Sequence, residues 1–253
     1  EVVSWRRDLH EHPELGNREF RTAGIIAEHL RGLGMEVRTE VAHTGVIGVL
    51  KGGDGPVVAL RADMDGLPVT ELVDLPFASK ARGEYLGQDV GVMHACGHDN
   101  HVAILMGVAE VLAGLGDELP GTVLFLFQPA EEGGAGGKMM RDQGVLQNPK
   151  VEQIYALHVA GTMPMGTLAS REGTLLAGTS TVKIVVKGNG GHAAAPHHTI
   201  DPVVTGSKII VELQTIISRE LSPLESGVIS ITMTKAGNAC NVIPSTMELE
   251  GTI

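Results

Sequence analysis

Residues 57–65 read Val57-Val58-Ala59-Leu60-Arg61-Ala62-Asp63-Met64-Asp65, and this stretch decides the fold. An apolar run that ends in two aspartates has the pattern of a strand buried in the middle of a sheet, with its polar end emerging into a crevice. Thr122–Phe127 has the same form and ends at Gln128-Pro129-Ala130-Glu131-Glu132, while Gln153–Leu157 ends at His158. Helical periodicity lies around these runs: Trp5, Leu9, Phe20, Ile25, Ile26 and Leu30 predict a helical opening stretch that closes near Gly32 and Gly34, with further helices over 98–115 and 138–143. Strands are predicted at 36–41 and 46–50 around a His-Thr-Gly turn, and a long loop over 68–93. Alternating strands and helices predict an α/β domain with a mostly parallel sheet.

The polar residues fall in one place. Asp63 and Asp65, Cys96 and His98, Glu131 and Glu132, and His158 all stand at the carboxyl ends of strands or in the loops that follow. Open α/β sheets bind their ligands in the crevice at that edge. Beyond about Gly178 the pattern changes: a strand at 181–187, an amphipathic helix at 200–218 and alternating strands at 228–235 and 246–253 give a β-α-β-β order. This predicts two domains, 1–177 with the candidate site and 178–253 as a small α+β domain.

Composition narrows the function. Hydrophobic residues make up 43% and charged residues 19% of the 253 positions, as in ordinary globular proteins. A net charge of −11 argues against nucleic acid as partner, because phosphate binding needs a basic face. Aromatic residues, at 3%, are too few for base- or sugar-stacking platforms. No apolar run approaches the roughly 18 residues of a membrane span. Two cysteines, Cys96 and Cys240, cannot build a disulfide framework, so a cytoplasmic setting is expected.

Residues 93–101, Met-His-Ala-Cys-Gly-His-Asp-Asn-His, limit the chemistry most. A thiolate and imidazoles that close together are good donors to zinc and similar divalent ions. A nucleophilic Cys96 is the rival reading, but acidic neighbours disfavour a free thiolate. Glu131 and Glu132 follow a buried strand, and as adjacent side chains they are expected to point in different directions. One would bind metal while the other takes the proton of an activated water. The glycines at 133–137 do not make a phosphate loop, since Lys138 is followed by Met139 and position 132 is Glu. His158 is read as a ligand from its place at the same edge, whereas His10, His12, His29 and His43 are read as surface or capping residues. Gly190-Gly191-His192 holds an imidazole on a tight turn.

These motifs, Ala62–Asp65, Met93–His101, Gln128–Glu132 and Gly190–Pro196, together with Trp5–His10 and Pro13-Glu14, resemble the M20 metallopeptidases. They are most similar to the N-acyl-amino-acid amidohydrolase branch that includes hippurate hydrolases and plant indole-3-acetyl-amino-acid hydrolases. The resemblance implies a catalytic domain holding two divalent ions (Zn, Mn, Co or Ni), and an inserted ferredoxin-like lid that is often a homodimer surface. It implies Cys96, His98, Glu132 and His158 as metal ligands, Glu131 as general base and Asp65 orienting a ligand from behind. His192 would stabilise the oxyanion of the scissile amide across the dimer, and Asn241, in Asn241-Val242-Ile243-Pro244, would bind the substrate carboxylate. The wider family has a histidine at the place of Asp63, which therefore receives no ligand role.

The implied substrates are small N-acyl amino acids, cleaved at a linear amide. The family continues beyond a Gly-Thr-x-Arg segment, whereas this chain stops at Gly251-Thr252-Ile253. The remaining lid, the return to the catalytic domain and a final histidine ligand are therefore expected outside it, with little activity from the chain alone. The alternative is a catalytically inactive metal- or ligand-binding, or dimerisation, module on the same fold.

Overall fold

In the computed structural model, which describes residues 1–253, the predicted opening helical stretch is two helices, α1 (Val2–Glu11) and α2 (Phe20–Gly32). Pro13 is the reason for the break: it has no amide hydrogen and pushes His12 out of the helical region, to φ −126° and ψ 54°. The chain then runs through β1 (Glu36–Val41), β2 (Gly45–Leu50), β3 (Val57–Asp63), β4 (Arg82–Tyr85), β5 (Gln88–Gly91), α3 (His98–Ala113), β6 (Thr122–Gln128), α4 (Gly136–Asp142) and β7 (Gln153–Ala156).

Five of these strands form one sheet in the order β1-β2-β6-β3-β7. β3 pairs in parallel with both β6 and β7, β2 runs against β6, and β1 runs against β2. Four of the five strands therefore point the same way, in a mixed α/β architecture. The register sets Asp63 beside Gln128 and Arg61 beside Ala156, so the carboxyl ends of β3, β6 and β7 lie side by side.

β6 explains its own sequence. Phe125 and Phe127 enter a core with Leu9, Ile26, Leu30, Val102 and Met106 from α1, α2 and α3. Leu124 and Leu126 enter a second core with Ile47, Ala59, Met140 and Val145 on the opposite face. A strand covered on both faces has no polar side to show. The expected loop over 68–93 contains the hairpin β4–β5, closed by Leu86 (φ 51°) and Gly87 (φ 76°). Two consecutive positive φ values make the type of two-residue turn that suits a hairpin's twist.

The chain divides into two compact units, Glu1–Met165 and Gly166–Ile253. Residues 159–180 contain no helix or strand, and the boundary predicted at 177/178 falls inside that stretch. The second unit comprises β8 (Thr181–Lys187), β9 (Gly191–His192), α5 (Pro202–Thr215), β10 (Ser230–Ala236), β11 (Val242–Ile243) and β12 (Thr246–Thr252). β10, β12 and β8 form an antiparallel sheet, and β9 pairs with β11. Asp201 caps α5 by accepting from the amides of Val203 and Val204, with Pro202 in the first turn. Val203, Ile209 and Ile210 of that helix pack against Val186, Met247 and Leu249 of the sheet.

One reading of the sequence is corrected here. His10 is not a surface or capping residue; it is buried. Its Nδ1 lies 2.8 Å from Asp99 Oδ2 and its Nε2 3.1 Å from Glu71 Oε1, while Arg6 Nε lies 2.8 Å from the same Asp99 oxygen. Glu71 also accepts the amide of Ser79. The imidazolium thus ties α1, the loop ahead of β4 and the first turn of α3 together. The bond to Asp99 raises the His10 pKa above 6.5, against the opposing cost of burial and with help from Glu71. Because the folded value is the higher one, this stabilisation is complete below the unfolded value and is lost as pH rises through the folded value. The gap in urea-unfolding free energy between the wild type and His10→Gln should shrink from about pH 6 to about pH 9. A gap that stays constant over that range would show that charge on His10 contributes nothing.

Candidate metal centre

At the end of β3, Asp63 is buried between Arg61, whose Nη1 donates to Oδ2 at 2.7 Å, and His101, whose Nδ1 donates to Oδ1 at 2.5 Å. Burial alone would push its pKa up, but the His101 bond and the Arg61 charge outweigh this and hold it at about 2. His101 Nε2 accepts the amide of Val159 at 2.9 Å. A chain of contacts therefore runs from Asp63 through His101 to the backbone beside His158.

Asp65 makes a different connection. Its Oδ1 and its own carbonyl lie 3.2 Å and 2.9 Å from His98 Nδ1, and its Oδ2 accepts the amide of Glu132 at 3.0 Å. One carboxylate thus fixes both the ring of His98 and the turn carrying Glu132. His98 opens α3 directly after Gly97, which has φ 84° and so adopts a left-handed conformation that suits glycine. A Cβ on Gly97 would come 2.5 Å from Val159 Cγ2, so the two loops meet only because glycine is there.

Around His98 the remaining candidates gather. Its Nε2 lies 3.8 Å from Glu132 Oε1, and Cys96 Sγ lies 3.5 Å from His158 Nε2. Ligand atoms of Cys96, His98 and His158 approach within 4.8 Å of one another, as do those of His98, Glu131 and Glu132. Glu131 and Glu132, expected to point in different directions, each bring a carboxylate oxygen within 4.8 Å of a His98 ring nitrogen. They sit in a turn in which Gly133 N bonds to Glu131 O and Gly134 N to Ala130 O, not in an extended segment where neighbours alternate. Exposure grades across the cluster: His98 is buried, Cys96 and Glu132 are half-buried, and Glu131 and His158 are exposed.

These residues fit a divalent cation. His98 Nε2 and Glu132 Oε1 are buried without a hydrogen-bond partner, although buried polar atoms are normally paired. A thiol, imidazoles and carboxylates are the donor set of zinc and its neighbours. Burial and the carboxylate of Glu132 push the Cys96 thiol up to about 12, which leaves no thiolate nucleophile at neutral pH in the absence of a cation. Burial also raises Glu132. His98 is raised as well, because its bond to Asp65 and the charges of Asp63, Asp65 and Glu132 outweigh burial. His94 stands apart. Its ring is buried with both nitrogens unpaired, and burial pushes its pKa down to about 4.

In the second unit, the β9–β11 pairing sets His192 opposite Val242, next to Asn241. Ala193 N donates to the carbonyl of Asn241 at 3.0 Å, and both side chains are exposed. His192 Nδ1 accepts the amide of Ala194 at 3.1 Å, which makes Nε2 the N–H donor of the neutral ring. Sequence reading passed over His101. Its signal was present in the spacing: it sits one turn after His98 on α3, on the same helix face.

Fold and site together define a class, an α/β protein with a candidate metal centre at the carboxyl edge of its sheet. Residues 59–249 match the model of peptidase family M20/M25/M40, and the chain belongs to that family. It is 47% identical over 257 residues to IAA-amino acid hydrolase ILR1-like 2 of Arabidopsis thaliana, covering 100% of this chain and 56% of that relative. It is 44% identical over 254 residues to the N-acetylcysteine deacetylase of Bacillus subtilis, covering 100% of this chain and 64% of that one. Its structure is similar to that of the Bacillus subtilis YxeP protein, a dinuclear metal-binding peptidase of the M20 family. That match has a TM-score of 0.73 and 41% identity, over 99% of this chain and 62% of the other. The chain thus spans only part of the length of each.

The state of Cys96 is directly measurable. With no metal added, iodoacetamide at about pH 8 should modify exposed Cys240 first, with Cys96 lagging at least about tenfold. Equal rates would mean that Cys96 is a reactive thiolate.

Proposed function

We propose that the protein is a metal-dependent amidohydrolase that cleaves the amide bond of small N-acyl amino acids. The observation that carries this reading is the pair of unpartnered buried atoms, His98 Nε2 and Glu132 Oε1, set among Cys96, His158 and Glu131 at the carboxyl edge of β3, β6 and β7. The relatives' names support the substrate class: one is an indole-acetyl-amino-acid hydrolase and another an N-acetylcysteine deacetylase.

In this reading Cys96, His98, Glu132 and His158 hold the metal, and a pair of divalent ions is proposed by analogy with the dinuclear relative. When bound, such ions lower the pKa of a water toward neutrality and polarise the amide carbonyl. Glu131, the most exposed carboxylate of the cluster, takes the proton from the attacking water and delivers it to the leaving amine. Asp65 keeps His98 in the tautomer whose Nε2 lone pair is free, since its carboxylate and carbonyl both engage Nδ1. The second unit acts as a lid and as the surface of a homodimer. There, across the dimer, the Nε2–H of His192 donates to the developing oxyanion, and Asn241 binds the substrate carboxylate.

Two measurements test this. Glu131→Gln should lower turnover of an N-acyl amino acid at least about a hundredfold while metal content by elemental analysis stays near the wild-type value. Loss of metal would make Glu131 a ligand. Chelation should abolish turnover and added divalent metal restore it. A metal-replete protein of the relatives' length with no turnover on acetyl, benzoyl and indole-acetyl amino acids would leave only the binding module.

A further inference from the structure

Glu19 is a completely buried carboxylate that takes no part in the proposed chemistry. It caps the start of α2, yet its side chain makes no bond to that helix. It reaches elsewhere: Oε1 accepts the amide of Ala130 at 2.8 Å, and Oε2 accepts the hydroxyl of Thr44. Ala130 immediately precedes Glu131 and Glu132. It holds a left-handed backbone, φ 48°, which is costly for a residue with a Cβ and persists only where the surroundings enforce it.

The surroundings do so from two sides. The Ala130 carbonyl accepts the amides of Gly134 and Gly136, each at 3.2 Å. Behind the turn lies Gly16, where a Cβ would come within 3.0 Å of Ala130 Cα. Two residues on, Asp65 Oδ2 accepts the amide of Glu132. Alternate amides of the turn, 130 and 132, are therefore each held by a buried carboxylate, one from the start of α2 and one from the end of β3.

We propose that Glu19 is a positioning residue for the metal centre. By holding the Ala130 amide it fixes the strained turn in the one orientation that aims Glu131 and Glu132 at His98. The inference rests on the metal-site reading above for its consequence, but not for its geometry. Replacement by Gln preserves it, because the amide oxygen can accept from Ala130 while its NH₂ donates to Thr44 Oγ1. Replacement by Ala, or by Asp with its shorter reach, does not.

The experiment compares wild type with Glu19→Gln, Glu19→Ala, Glu19→Asp and Thr44→Val, reading Co²⁺ affinity by visible absorption and hydrogen exchange at the Ala130 and Glu132 amides. Glu19→Ala and Glu19→Asp should weaken Co²⁺ about tenfold or more and speed exchange at both amides, while Glu19→Gln keeps wild-type values. Thr44→Val removes the other bond to Glu19, so it should keep Co²⁺ affinity even if its Tm falls. If Glu19→Ala does not fold, Glu19→Asp carries the comparison. Wild-type exchange at Ala130 in Glu19→Asp, or Thr44→Val losing Co²⁺ as fully as Glu19→Asp does, would overturn the proposal and leave Glu19 a stabilising residue only. If the wild type binds no Co²⁺, the metal reading falls, and amide exchange alone still decides for or against Glu19.

Discussion

The parallel pairing of β3 with β6 on one side and β7 on the other is the constraint on which the rest of the first unit depends. Parallel register sends three carboxyl ends to one edge, so Asp63 and Asp65, the turn holding Glu131 and Glu132, and His158 arrive together from three separate parts of the chain. An antiparallel arrangement would send alternate ends to opposite edges. The same pairing demands that both faces of β3 and β6 be covered. α1, α2 and α3 meet this demand on one face, and α4 with its neighbours meets it on the other. α3 is therefore held by its apolar face, and His98 at its first position is delivered to the same edge.

Asp63 is held ionised by its own partners, whereas three of the ligand candidates share one electrostatic direction. The Cys96 thiol, the Glu132 carboxyl and the His98 imidazole are all shifted toward holding a proton. Causes differ among them, with burial leading for Cys96 and Glu132 and neighbouring carboxylates deciding for His98. Burial and crowded carboxylates together make an ionised thiol or carboxylate costly there. Carboxylates close around one imidazole repel each other in a medium that screens poorly. A divalent cation would reverse all three shifts together, as it would favour the thiolate, the carboxylate and the neutral ring.

Much of this was legible in the sequence, for a physical reason. β6 and β3 read clearly because buried strands leave apolar runs, broken in β3 only by Arg61. His98, Glu132 and His158 stood out because each followed such a run or opened a helix, with Cys96 two residues before that helix. What escaped were pairings between distant parts of the chain. His10 looked like a helix-surface residue because its partners, Glu71 and Asp99, lie in other segments. Glu19 gave no signal, since its carboxylate serves an amide 111 positions away. The β4–β5 hairpin lacked alternation, and only Gly87 at its turn marked it. Buried polar residues have no period, so pattern reading passes over them where apolar residues announce themselves.

Two carboxylate–imidazole pairs in this unit show how hydrogen-bond accounting separates a ligand candidate from a support. Asp63 with His101 and Asp65 with His98 are chemically alike and all buried, and distance alone would also group Asp63, His98 and His101 around one ion. In the first pair both ring nitrogens are spent: Nδ1 donates to Asp63 and Nε2 accepts the Val159 amide. A lone pair already shared with a backbone N–H is not free for a metal. In the second pair only Nδ1 is engaged, and Nε2 faces Glu132 with nothing bound to it. His98 is thus the one of the two that can coordinate, while His101 carries the order of β3 across to the loop of His158. The same residue pair, placed one turn apart on α3, leaves a ring nitrogen free at one position and spends both at the other.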